Sequence, residues 1–156
     1  MYKVQTKEPP ARRFEDFSEG QQMPVVTRGP MTATDQVRWS GACDNYASAF
    51  HHDSAAAKAA DLPGLLLSGP YMACIMLSEI TYWLGRDARV LSFWDRNSGT
   101  TMPDDMAHVH ATVKRAWVEG GKGMLDIECG ILNQDGKQTT PGGLVAELPL
   151  GAGSKP

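Results

Sequence analysis

The chain has 156 residues, 42% of them hydrophobic and 21% charged, with a formal net charge of -3. That length suits one domain able to bury a core without disulfide or metal staples, and the mild acidity, without any lysine or arginine run, argues against a nucleic-acid partner. Cys43, Cys74 and Cys129 are odd in number and lack CxxC spacing, which points to free thiols in a reducing, cytoplasmic setting rather than to a disulfide framework or zinc site.

Residues 1–13 form a polar arm with Pro9, Pro10 and paired arginines, expected to be mobile or draped over a surface. The arm holds no apolar stretch of signal-peptide length. The longest apolar segment, 62–84, is broken by Pro63, Gly64, Gly69, Pro70 and Glu79, so neither secretion nor a membrane span is expected. From Phe14 the pattern FEDFSEGQQMPVV leads through aromatic, glycine and proline punctuation into a first strand at 25–28. Thr34 as N-cap and Asp35 in the first turn predict a short helix carrying Val37, Trp39 and Ala42. Asp53 or Ser54 caps the next helical piece, SAAAKAADL, which stops at Leu62 because Pro63 disfavours helical geometry in the residue before it.

The strongest helical pattern spans 69–84, where Met72, Ile75, Met76, Ile80 and Trp83 recur at helical spacing. It opens at Ser68-Gly69-Pro70, where proline in the first turn costs no hydrogen bond and glycine lets a ligand atom approach backbone N–H groups. Beyond Gly85 the chain reads as four strands, 88–97, 108–118, 123–132 and 143–148, separated by MPDD, EGGKG and NQDGK. A short strand, small helices around a polar loop, a long apolar helix and four strands predict an α+β domain over 14–150 whose antiparallel sheet wraps one central helix, with 151–156 as a tail.

Chemistry concentrates between Ser40 and Pro70. Asp44, His51, His52 and Asp53 lie within ten residues of one another, just ahead of the helix opening at Gly69. Carboxylate and imidazole together can hold a water, take its proton and return one elsewhere, if both converge on one point. A helix N-terminus can polarise a carbonyl through its free N–H groups and its partial positive charge.

FEDFSEGQQMP, SGACD followed by HHD, LPGLLLSGP, MPDDM and NQDG together resemble the MaoC-like, R-specific enoyl-CoA hydratases, which have the hotdog fold, over nearly the whole domain. The resemblance implies syn addition of water to a trans-2-enoyl-CoA, or the reverse dehydration of a (3R)-hydroxyacyl-CoA, with the coenzyme A thioester as substrate and no other cofactor. It implies His51 as the catalytic histidine, Asp44 as its aspartate and the Gly69 N–H on the thioester carbonyl, with Ser68, Gly69 and Asp53 as the oxyanion and substrate-binding residues. Six residues, 45–50, separate Asp44 from His51 where the family usually has four, often including Asn-Pro. In an unbulged register Tyr46 would stand in the aspartate's place. Ser68 stands where many relatives carry histidine. The resemblance also implies a homodimer, or a heterodimer with another hotdog chain, because a short single hotdog leaves its sheet edge and acyl tunnel incomplete. The HHD spelling resembles small MaoC-like subunits that act on steroid side chains with a partner chain.

Simpler roles compete for several of these residues. Asp44 can be a cap, Asp53 fits the N-cap of SAAAKAADL, and Gly69-Pro70 can be only a helix start. His108 and His110 share one face of a strand without a carboxylate or cysteine at ligand spacing, so no metal is expected. Asp104-Asp105 reads as turn chemistry, and the arginines and lysines of the second half as a solvated face. Two other functions stay open: a non-catalytic hotdog subunit or acyl-CoA-binding module, and a hotdog thioesterase.

Overall fold

A computed structural model describes residues 8–44 and 46–151 of the chain. The N-terminal arm before Glu8 and the tail after Gly151, both set apart in the sequence, lie outside the described residues. Strand β1 (Val26–Arg28) is followed by α1 (Ala33–Ala42), α2 (Ser54–Ala59), α3 (Gly69–Leu84) and β2 to β5 (Arg89–Asp95, Ala107–Glu119, Lys122–Leu132, Gln138–Leu148). The strands form one antiparallel sheet in the order β1-β3-β4-β5-β2.

The helix α3 runs over the residues its punctuation predicts. Pro70 stands in its first turn, and Gly85 closes it at φ 96 with its N–H on Thr81 O. A side chain at 85 would meet the Pro10 carbonyl, so this left-handed turn needs glycine both for its torsion and for the arm packed against it. Met72, Met76, Ile80, Trp83 and Leu84 bury one stripe of α3 against Val109, Ala111, Val113, Leu125, Ile127, Ile131, Leu144 and Leu148 of the sheet. The same stripe carries Glu79, buried and paired through Oε1 with the Arg28 guanidinium of β1. That pair ties the sheet's edge strand to the central helix, and a buried carboxylate is tolerated only with such a partner.

The first strand and the next three keep their expected bounds to within two residues, and three other boundaries differ for identifiable reasons. Thr32, not Thr34, caps α1, because its Oγ1 accepts the Asp35 N–H at 3.0 Å. α2 ends at Ala59 rather than Leu62; Asp61 lies in left-handed backbone at φ 53, outside the helix. β5 starts at Gln138, five residues earlier than its apolar run, since Pro141 is accommodated opposite Gly130 and its carbonyl accepts the Arg96 N–H at the end of β2. The described part of the arm is held against the end of α3: Arg86 donates to Glu8, and the Arg12 guanidinium lies 5.5 Å from the centroid of the Phe17 ring.

Candidate functional site

The polar connector between α1 and α3 is held by a few directed bonds. Ala49–His51 make a single 3-10 turn, and its Phe50 carbonyl accepts the Leu66 N–H at 3.3 Å. In return the Nδ1 of His51 bonds the Leu66 carbonyl at 2.8 Å. A carbonyl can only accept, so Nδ1 carries a proton, and in the tautomer this selects the lone pair is on Nε2. Leu66 lies three residues before Gly69, so the extended chain between them spans at most about 10 Å. These bonds therefore anchor a half-buried imidazole to the segment that leads into α3, and its Nε2 has no hydrogen-bond partner among the described residues. The Phe50 ring packs on it at 4.5 Å between centroids.

The other sequence candidates fall in distinct places. Asp44 stands exposed beyond the end of α1 in left-handed backbone, φ 50, and no hydrogen bond or ion pair among the described residues ties it to His51. His52 turns away from solvent at Nδ1, which has no hydrogen-bond partner among the described residues, and its ring meets Tyr46 edge-on at 5.3 Å. Asp53 is the N-cap of α2, its Oδ1 accepting the N–H groups of Ala55 (2.8 Å) and Ala56 (3.4 Å). That capping engages the carboxylate in shaping the loop.

Ser68 is the N-cap of α3 but makes no cap bond with its own side chain. It is held instead by Gln36 of α1, which is 1% exposed. Gln36 Oε1 accepts the Ser68 N–H at 2.8 Å, and its Nε2 donates to Ser40 Oγ at 2.9 Å and to Ser68 Oγ at 3.3 Å. The helix α1 thus buries a polar pair, Gln36 and Ser40, while Val37 is 43% exposed. Trp39 also reaches α3, its ring 5.9 Å from that of Tyr71. Gln36 escaped the sequence reading because a buried amide has no apolar periodicity; the signal was its i,i+4 pairing with Ser40.

The Gly69 N–H has no partner within its helix. A side chain at 69 would overlap the Asn97 carboxamide, so the glycine admits Asn97 against the helix start. Asn97 is a second residue that the sequence reading missed. It also borders a cleft of about 470 Å³ between α3 and β2, walled by Ala73, Cys74, Leu77, Phe93 and Asp95.

On β3, His108 Nδ1 bonds Thr27 Oγ1 at 2.8 Å, whereas the buried Nε2 of His110 has no partner among the described residues. Burial lowers the His110 pKa and the Glu128 carboxylate partly offsets it. Among the described residues no group of three His, Cys, Asp or Glu could hold a metal ion, and no helix is long and apolar enough to cross a membrane. Asp105 bonds Met102 N and Gln134 Nε2, fixing the turn read from MPDD.

No protein-family model matches the sequence, and no curated protein matches it significantly. Solved structures do match. R-hydratase PhaJ1 from Pseudomonas aeruginosa superposes with a TM-score of 0.77 at 17% identity, covering 92% of this chain and 94% of that one. A MaoC domain protein dehydratase from Chloroflexus aurantiacus gives 0.84 at 16% identity, over 97% of this chain but 44% of that longer one. The ChsH1-ChsH2 complex from Mycobacterium tuberculosis gives 0.73 at 17% identity, covering 84% of this chain and 98% of the matched one. With its five-stranded antiparallel sheet around α3, the chain is a hotdog domain built on the plan of R-hydratases and MaoC-like dehydratases.

Proposed function

We propose that the protein is an R-specific enoyl-CoA hydratase, or the corresponding 3-hydroxyacyl-CoA dehydratase, of the MaoC-like family. The observation that carries this reading is His51, whose Nδ1 is committed to the Leu66 carbonyl of the segment that leads into α3 and whose Nε2 is left as a base. In the hydration direction, Nε2 takes a proton from water as the water oxygen bonds to the β-carbon. The alkene electron pair moves through the α-carbon onto the thioester oxygen. The imidazolium then returns a proton to the α-carbon on the same face, which makes the addition syn. Asp44 orients the water, and Asp53 holds the loop through its cap on α2. The Gly69 N–H and the Ser68 hydroxyl receive the enolate oxygen, where one preorganised donor is worth about 3 to 4 kcal/mol. The acyl chain enters the cleft between α3 and β2.

A second hotdog chain, identical or different, completes the site. β2 ends the sheet order, and it exposes Leu91 (43%) and Trp94 (59%) beside its unpaired edge. The match to under half of a longer dehydratase and the match to a two-component complex both support this assembly. The protein's partner is thus an acyl-CoA in a hotdog dimer acting in thioester or fatty-acid metabolism in the cytoplasm. The alternative, a non-catalytic or acyl-CoA-binding subunit, is favoured by one observation: Asp44 is not bonded to His51 among the described residues.

The deciding experiment incubates the protein, alone and with any hotdog chain encoded beside it, with crotonyl-CoA and with longer and branched enoyl-CoAs. The expected result is loss of enoyl-thioester absorbance and formation of the (3R)-hydroxyacyl-CoA. Acyl-CoA binding without turnover in either arm identifies the non-catalytic subunit; acyl-CoA hydrolysis identifies a thioesterase.

A further inference from the structure

We propose that Gln36 is a positioning residue for the thioester-binding donors at the start of α3, acting through Ser68. This deepens the hydratase reading and rests on it. The Ser68 N–H can only donate, so the amide oxygen of Gln36 must face it, at 2.8 Å. The orientation of the carboxamide follows: its NH2 group points at the two serine hydroxyls, 2.9 Å from Ser40 Oγ and 3.3 Å from Ser68 Oγ. Ser68 Oγ therefore accepts from Gln36, and its own proton is left to be donated elsewhere. All three residues are buried, so water does not supply an alternative partner cheaply.

The consequence falls on Gly69. With the Ser68 N–H consumed by Gln36 and no N–H on Pro70, the Gly69 N–H and the Ser68 O–H stand as donors on adjacent residues at the opening of the helix. Gln36 fixes the Ser68 backbone with one bond and aims the Ser68 hydroxyl with another. α1 thereby sets the geometry of the oxyanion donors although it touches no reacting atom. Preorganisation of this kind acts on the charged enolate more than on the neutral substrate, so its loss falls on kcat rather than KM.

Two variants test it. Gln36→Met keeps the volume and removes every polar contact. Gln36→Glu keeps the acceptor for the Ser68 N–H; burial raises its pKa, so the protonated acid at low pH still donates to Ser68 Oγ and keeps activity, whereas ionisation at higher pH turns that donor into an acceptor and draws the hydroxyl proton inward, and the variant is compared with wild type at the high-pH end. On the best enoyl-CoA substrate each is expected to lower kcat about 100-fold with KM changed less than about threefold. Ser68→Ala is expected to give a similar loss, and Gln36→Met/Ser68→Ala less than the product of the two losses, because the bond to the hydroxyl is removed by both changes while the bond to the Ser68 N–H is removed only with Gln36. Butyryl-CoA carrying a 13C-labelled thioester carbonyl gives a readout that needs no turnover: its bound carbonyl stretch, lowered in the wild type, should move back toward the free value in either variant.

The two levels fail separately. A wild type that hydrates no enoyl-CoA overturns the function. Rapid hydration by wild type together with kcat within about twofold in both folded Gln36 variants, or losses additive with Ser68→Ala, overturns the role of Gln36. Should Gln36→Met fail to fold, Gln36→Glu and the carbonyl stretch decide alone.

Discussion

Replacing His51 by asparagine separates the two jobs assigned to its ring. The side-chain NH2 of asparagine can occupy the place of Nδ1 and keep the 2.8 Å bond to the Leu66 carbonyl, but nothing then stands where Nε2 was. Alanine removes both. The bond is worth about 1 kcal/mol net, which for a domain of this size corresponds to about 2–4 °C in Tm. His51→Ala should therefore show that loss, and His51→Asn should melt within about 1 °C of wild type. Both should lose the general base, lowering kcat about 100- to 10,000-fold, or about 3 to 5.5 kcal/mol of barrier. Spectrophotometric hydration of the best enoyl-CoA, paired with thermal and urea unfolding of the same preparations, measures both. Hydration by His51→Asn within tenfold of wild type would refute the base assignment; equal destabilisation of the two variants would refute the anchor.

Other expectations concern the core. Glu79→Ala removes the carboxylate that the Arg28 guanidinium pairs with and should cost about 3 kcal/mol, the low end for a broken buried pair because Arg28 keeps some contact with solvent, or about 6–12 °C in Tm. Arg28→Met/Glu79→Leu should recover most of that loss, and a double variant no better than Glu79→Ala would show that the pair does more than neutralise itself. Burial, reinforced by the Glu128 and Asp95 carboxylates, pushes the Cys129 thiol from 9.0 up to about 12. The folded state thus keeps this proton to higher pH than the unfolded chain does. Its contribution is whole below about pH 9 and is lost toward pH 12 by at most about 1.4 kcal/mol per pH unit. Urea unfolding between about pH 8 and pH 11 should show a steeper decline for wild type than for Cys129→Ala, and parallel declines would contradict the assignment.

Legibility in the sequence followed the kind of signal each element carries. α3 could be delimited because Ser68-Gly69-Pro70 and Gly85 punctuate an apolar stripe, and the strands because turn residues separate alternating runs. The start of β5 was hidden by Pro141 and the Gly142-Gly143 pair, residues that read as a break yet fit where β2 ends and a side chain would collide with Trp94 or Met76. α1 was placed two residues late because either threonine could cap it; only the Asp35 N–H identifies Thr32. Within the connector, the cap that Asp53 places on α2 was legible because it is local, whereas the bond of His51 to the Leu66 carbonyl spans fifteen residues and no spacing announces it. Gln36 and Asn97 stayed invisible because each acts on the Ser68-Gly69 step from a distant part of the chain, through contacts that no spacing encodes. Whether Asp44 bonds His51, which it does not among the described residues, is likewise a matter of how the connector folds, not of how many residues it contains.

The uneven distribution of buried surface has a thermal consequence. α1 buries only Gln36 and Ser40, the turn bearing His51 buries nothing fully, and α2 buries Ala57, whereas α3 and the sheet hold most of the buried large apolar side chains. A segment fastened by a few directed bonds opens at lower free energy than one fastened by close-packed area. On warming, the connector should detach while the barrel-like half around α3 is still intact, so that the protein falls silent before it melts. Cargo bridging the two halves would narrow that gap.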